Sequence, residues 1–209
     1  MQTISVYAIS AETVRQADWT PLVRHMPARM EKAERFRFEK DRLLCIGGGF
    51  LMRQVVGICD ESALCLGEYG KPFAPGYPHF SLSHCGEWCI LSKCDCEIGA
   101  DIEKTDEKNL MIAPMICTPR ELSWMNEDPL RRFTLLWTWK ESLLKAVGRG
   151  LSLEPNALDV LPFAEDQPLS LNGQSWYARS DCMDDYCFSV CTSTPIAGLE
   201  WVELHPSEL

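Results

Sequence analysis

Phe133, Leu136, Trp137, Leu144 and Val147 recur at helical spacing, and Gly148 stands where a helix over 133–147 would close. A helix with one apolar stripe is stable only when that stripe is covered. Strand-like segments are at hand to cover it. Residues 3–9 and Phe80-Ser81-Leu82-Ser83 read as strands, while Trp88–Cys94 and Glu97–Glu103 read as a strand pair joined near Asp95. A loop with short helical pieces covers 105–130, and short strands near 158–161, 175–179, 185–192 and 199–204 finish the chain. Upstream, 28–57 reads as one long helical region, charged from Arg29 to Arg37 and then apolar around Gly47-Gly48-Gly49. Each helical glycine is unfavourable by about 1 kcal/mol relative to alanine. Either the helix breaks at the glycines or another backbone packs closely there. It is not a phosphate loop, because no Lys-Ser/Thr follows and no strand leads in. The expected fold is α+β, a pseudo-two-fold pair of similar halves over 1–100 and 101–209. Each half would pack a long helix on a small antiparallel sheet.

Charge and cysteine usage narrow the partners. Twenty Lys and Arg against thirty Asp and Glu leave a net charge of −10, which disfavours nucleic acid. No apolar run reaches the roughly 20 residues of a membrane span. The first residues, Met1 to Tyr7, read as a strand rather than a secretion signal. The eleven cysteines contain no CxxC pair, and the four histidines show no ligand spacing, so structural zinc is disfavoured. Free, mostly buried thiols in a cytoplasmic protein are expected.

Three groups of residues could carry chemistry. Asp101 and Glu103 share a strand face, about 6.6 Å apart at Cα. Such a pair can hold a hard divalent cation such as Mg²⁺, which takes oxygen ligands and shares them with phosphates. On spacing alone, an ordinary solvated strand end is the simpler reading. Glu141 and Lys145, four apart, share a helix face. They read either as a surface ion pair or as a third carboxylate with a lysine one turn on, poised over a phosphate. Taken alone, the ion pair is simpler, and the tryptophans of this helix read most simply as core. Ser83 and His84 precede the turn at Gly86, which can aim hydroxyl, imidazole and backbone N–H at an anion, or merely cap a hairpin while Lys71 is solvated. No Gly-x-Ser-x-Gly elbow is present, so a serine hydrolase is disfavoured.

Taken in order, these pieces resemble one family. Tyr69-Gly70-Lys71-Pro72, Phe80-Ser81-Leu82-Ser83-His84, Gly99-Ala100-Asp101-Ile102-Glu103 and Trp137-Thr138-Trp139-Lys140-Glu141-Ser142-Leu143-Leu144-Lys145 resemble the motifs of Sfp-type 4′-phosphopantetheinyl transferases. Gly148-Arg149-Gly150-Leu151 is similar to the family's continuation, and the resemblance runs from about residue 27 to 160. The length resembles the pseudo-dimeric type, which implies a monomer.

The resemblance implies transfer of the 4′-phosphopantetheine arm of coenzyme A to a serine of an apo carrier protein (acyl, peptidyl or aryl), releasing 3′,5′-ADP. It implies Mg²⁺, with Mn²⁺ as the alternative, held by Asp101, Glu103, Glu141 and the pyrophosphate. Lys140, Lys145 and His84 would contact phosphates, and Lys71 and Ser83 would face the 3′-phosphate. Tyr69, Gly70 and Pro72 would lie near the adenine, with Arg29 and Lys32 as further cations for the 3′-phosphate. The catalytic set would be Glu141, Lys145 and Glu103, with the serine proton going to Glu141 or Glu103, directly or through a metal-bound water. Phosphoryl transfer asks mainly for positioning and charge stabilisation, which such a set supplies. Where the family often keeps an arginine and then a small hydroxyl residue, this chain has Leu44 and Cys45. Carriers in such systems tend to be acidic, as this chain is, so docking is expected through an apolar patch. Leu110-Met111-Ile112-Ala113-Pro114-Met115 is the candidate, and it reads equally as a buried segment. Two other functions fit parts of the pattern: a non-catalytic module binding coenzyme A or a carrier, and a metal-dependent phosphohydrolase of coenzyme A or nucleotides. Peptide-synthetase, polyketide-synthase and fatty-acid carriers all stay open.

Overall fold

A computed structural model gives the fold and describes residues 1–148 and 154–208; Arg149, Gly150 and Leu151 of the family-like continuation lie outside the described residues. The chain opens with β1 (Gln2–Ser10), then α1 (Ala11–Gln16), α2 (Thr20–His25), α3 (Pro27–Glu34) and α4 (Glu39–Leu51). A two-stranded ribbon, β2 (Cys65–Leu66) and β3 (Pro72–Phe73), precedes β4 (His79–Cys85), β5 (Trp88–Cys94) and β6 (Ile98–Lys104). Next come α5 (Ala113–Ile116), α6 (Pro119–Met125) and α7 (Pro129–Val147). The chain closes with β7 (Leu169–Leu171), β8 (Gln174–Met183), β9 (Tyr186–Thr192) and β10 (Ile196–Glu203).

Two four-stranded sheets result, ordered β10-β1-β5-β4 and β6-β9-β8-β7. Helix α4 packs on the first and α7 on the second. The strand period of two divides β6 cleanly. Ile98, Ala100 and Ile102 join Val6, Ile90 and Val190 in a core between the sheets, which leaves Gly99, Asp101 and Glu103 on the opposite face. The fold is thus mixed α+β, layered helix, sheet, sheet, helix.

Several expectations change. β5 and β6 are not a pair: β5 lies between β1 and β4, and β6 pairs with β9. The first sheet is not wholly antiparallel, because β10 returns from the end of the chain and runs parallel to β1. The span 101–209 therefore lends one strand, β10, to the sheet of the span 1–100. The region 28–57 splits at Arg35–Phe38 rather than at the glycines, since α3 folds back to pack on α4. Helix α4 runs through Gly47-Gly48-Gly49, and side chains rather than a second backbone use the room. A Cβ on Gly48 would lie 3.0 Å from Leu82 Cδ2, and one on Gly49 would lie 3.3 Å from Arg29 Cγ. The expected strand near 158–161 is absent, because Val160 N–H bonds Glu121 Oε1 instead of a neighbouring strand.

Backbone does approach backbone at Gly99. A Cβ there would overlap Ser142 O and Ala146 N of α7, so β6 lies directly against the helix. Gly99→Ala is expected to lower stability by about 1–3 kcal/mol or more, as overpacking against a rigid neighbour does. It should also reduce turnover, since the same contact sets Asp101 beside α7. A denaturation midpoint equal to the parent's would refute the close fit.

The cysteines are mostly free, but not all. Cys182 and Cys187, opposite one another on β8 and β9, form a disulfide, which corrects the expectation for that pair. Among the free thiols, Cys45, Cys89, Cys94, Cys117 and Cys191 are buried. Burial pushes the Cys89 thiol up to about 12. No helix among the described residues is long and apolar enough to cross a membrane.

Candidate active site

Edge strands β4 and β6 meet at the seam between the two sheets, and side chains join them. Ala100 N–H donates to Ser81 Oγ at 2.9 Å, and Ser83 Oγ donates to Asp101 Oδ1 at 2.7 Å. Lys145 reaches across from α7, its Nζ donating to Asp101 Oδ1 at 2.6 Å, to Ser83 Oγ at 2.9 Å and to Ala100 O at 3.3 Å. A cavity of about 690 Å³ opens over this seam.

Its walls are divided by charge. Asp101, Glu103 and Glu141 line it, and so do Arg29, Lys32, His84 and Lys145. Asp101 is 3% exposed, and its Oδ2 is buried without a hydrogen-bond partner among the described residues. Glu103 is held at both oxygens: Trp137 Nε1–H donates to Oε1 and the Cys85 thiol to Oε2, each at 3.2 Å. Burial, and then the Asp101 charge, holds both Glu103 and Glu141 above the usual carboxylate range. Burial and the neighbouring Lys145 hold His84 below the usual imidazole range.

Ten of the thirteen residues that the resemblance singled out line this cavity, Gly70, Pro72 and Ser83 being the other three beside the charged ones. Tyr69 and Lys71 line an adjoining recess of about 260 Å³, shared with Gly70, Pro72, Glu141 and Lys145. Lys71 points its ammonium at Ile98 O, 2.8 Å away, and burial lowers its pKa. Lys140 is not brought to the cavity. It is fully buried, paired with Glu121 at 2.8 Å and donating to Pro155 O and Leu158 O. The cause is helical phase: residues five apart differ by about 140° around a helix, so Lys140 and Lys145 cannot face the same way. Leu44 and Cys45 belong to the first core.

Three residues of the site escaped sequence reasoning, Trp137 and Glu61 on the cavity wall and Cys85 behind Glu103. Trp137 looked like core, yet it stands one turn before Glu141, and that spacing was a usable signal. Cys85 and Glu61 gave none, since each meets its partner only through the fold.

The donors suit a hard divalent cation. They are carboxylate oxygens, one is a buried orphan, and two are carboxyls whose ionisation burial and mutual repulsion oppose, a penalty that a cation would relieve. Among the described residues, no three His, Cys, Asp or Glu side chains stand close enough to hold an ion together. The set fits in kind, and side-chain rotation would have to gather it.

These carboxyls imply a pH signature. Glu141 keeps its proton more tightly folded than unfolded, so stability is lost as pH rises from the ordinary 4.5 through the raised folded-state value. Glu141→Gln removes that penalty. Without metal, the variant is expected to melt above the parent at pH 7 and to lose that advantage near pH 4. An advantage that is constant across this range would mean the carboxyl is not strained.

Residues 97–191 match the model of the 4′-phosphopantetheinyl transferase superfamily. A 4′-phosphopantetheinyl transferase of Bacillus subtilis is 30% identical over 183 residues, covering 80% of this chain and 81% of the relative. The transferase psf-1 of Bacillus pumilus is 32% identical over 190 residues, covering 82% of this chain and 80% of the relative. The transferase Sfp of Bacillus subtilis strain 168 is 35% identical over 145 residues, covering 64% of this chain and 65% of that protein.

Proposed function

Since the chain belongs to the 4′-phosphopantetheinyl transferase superfamily, we propose that its seam cavity is where coenzyme A and a carrier serine react. The protein transfers the 4′-phosphopantetheine of coenzyme A to an apo carrier protein. The observation that carries the site assignment is a cavity that sets three carboxylates against Lys145, His84, Lys32 and Arg29. A non-catalytic module would not need the carboxylates, and neither it nor a phosphohydrolase is favoured.

In this reading Asp101, Glu103 and Glu141 would hold Mg²⁺ or Mn²⁺, which when bound supplies Lewis-acid stabilisation of charge on the pyrophosphate. Lys145 neutralises the phosphate that leaves. Trp137 and Cys85 keep Glu103 turned toward the cavity. Both Glu103 oxygens are engaged, which favours Glu141 as acceptor of the serine proton. The serine oxygen bonds to the β-phosphorus, the bond from that phosphorus to the bridging oxygen breaks, and 3′,5′-ADP leaves. Tyr69, Gly70 and Pro72 offer the recess for the adenine, Lys71 and Ser83 face the 3′-phosphate with Arg29 and Lys32 as further cations, and His84 contacts the phosphates. The cations come mainly from the first half and the carboxylates from the second, so both halves of one chain build the cavity, and in this reading they are a pseudo-two-fold pair working as a cytoplasmic monomer.

Carrier docking falls to the segment after β6. Met111 and Met115 are 81% and 71% exposed, beside Ile112. Flexible, polarisable methionines suit a surface that meets several partners. Met111→Asp and Met115→Asp are expected to raise KM for the carrier several-fold while KM for coenzyme A holds. A carrier KM equal to the parent's in both variants would move docking elsewhere. The activity itself is tested by intact-mass spectrometry of apo carriers incubated with the protein, coenzyme A and Mg²⁺. A phosphopantetheine-sized gain that vanishes with EDTA is expected. Release of 3′,5′-ADP without carrier would favour the phosphohydrolase instead.

A further inference from the structure

Arg29 is not a free cation. Its Nε and Nη2 both stand 3.1 Å from Glu61 Oε1 inside the cavity wall, with side chains only 12% and 19% exposed. The pair is fixed from both sides. Asp60 Oδ1 accepts Ser62 N–H at 2.8 Å and caps the turn Glu61–Ala63, which holds the Glu61 backbone. On the other side, the missing Cβ of Gly49 leaves room for the Arg29 stem along α4. Glu61 Oε2 is buried with no hydrogen-bond partner among the described residues, so the carboxylate is only half satisfied. A carboxylate in a cavity suited to phosphates runs against the site's own charge logic.

We propose that Glu61 sets the selectivity of this site for the 3′-phosphate by competing with it for Arg29. The inference rests on the coenzyme A reading above. A guanidinium fork matches a phosphate as well as a carboxylate, and it cannot serve both fully. A 3′-phosphate entering beside Glu61 also meets a like charge in a partly desolvated place. Among the described residues, Lys32 and His84 are the donors on this wall that form no ion pair. The site therefore discriminates less between coenzyme A and its 3′-dephospho form than an unpaired Arg29 would allow.

The test is calorimetric binding of 3′,5′-ADP and 5′-AMP, with Mg²⁺ present, to the parent, to Glu61→Gln and to the double variant Glu61→Gln/Arg29→Gln. Glu61→Gln is expected to bind 3′,5′-ADP about fivefold tighter, in line with releasing a partly buried charge pair, and to leave 5′-AMP unchanged. The double variant should lose the gain. In transfer assays the preference for coenzyme A over 3′-dephospho-coenzyme A should rise in the same proportion. Weaker binding of 3′,5′-ADP by Glu61→Gln, or equal shifts for both nucleotides, would overturn the proposal and make Glu61 an orienting partner of Arg29. A parent protein that binds neither nucleotide nor coenzyme A would instead remove the coenzyme A reading, a failure recognisable before any variant is made.

Discussion

Lys145→Ala is expected to lower the transfer rate by about 10²–10³-fold, the range for losing one preorganised charge at a transferring group, while the protein stays folded. Lys145 is the only side chain that ties α7 to both Ser83 and Asp101 among the described hydrogen bonds. Its side chain lines the cavity and is 29% exposed, whereas the Asp101 side chain is 4% exposed. Deleting it removes positive charge from where phosphate negative charge develops. It also leaves Asp101 Oδ1 with only the Ser83 hydroxyl, so some stability should be lost as well. Lys145→Arg separates the two effects. It keeps the charge and should restore stability, but the planar guanidinium cannot reproduce the ammonium's three contacts, so the rate should recover only in part. The check is a single-turnover rate for each variant beside its thermal midpoint. A Lys145→Ala protein with the parent's rate would reduce Lys145 to a structural pin.

Lys140→Met is expected to do the reverse, lowering stability by about 3–5 kcal/mol, the range for breaking a buried ion pair. On a chain of this size that lowers the melting temperature on the order of 10 °C. Lys140 and Glu121 are both fully buried. Glu121 also completes a capping box with Thr118 at the start of α6 and accepts Val160 N–H, so one carboxylate fastens α6, α7 and the chain at Val160 together. Removing the lysine strands that carboxylate and frees the Pro155 and Leu158 carbonyls. The double variant Lys140→Met/Glu121→Leu should be more stable than Lys140→Met alone, because no unpaired charge remains. Chemical denaturation of the three proteins reads this directly. A Lys140→Met protein as stable as the parent, but slow in transfer, would return Lys140 to the phosphates.

The two lysines show how far the sequence reached. Period and spacing gave the long helix, the strand carrying Asp101 and Glu103, and the face shared by Glu141 and Lys145, because those follow from local geometry alone. Motif order then brought the pieces into one family. Lys140 stands on the apolar stripe, four after Leu136 and four before Leu144, so its burial was legible from spacing although the motif sent it to the phosphates; its partner Glu121 was not, because only packing of α6 on α7 brings the two together. Glu61 was not legible either: it lies 32 positions from Arg29, and the pair exists because α3 packs against the turn Glu61–Ala63. Pairing of β6 with β9 rather than β5, and the return of β10 beside β1, were likewise fixed by how two sheets cover one another. The sequence by itself determined the two elements that carry the candidate residues, α7 and β6, because their patterns are local, and it did not exclude the strand expected near 158–161. Tertiary structure alone decided which charges meet, because a salt bridge or a strand pair joins residues that the chain's own local conformation cannot bring together.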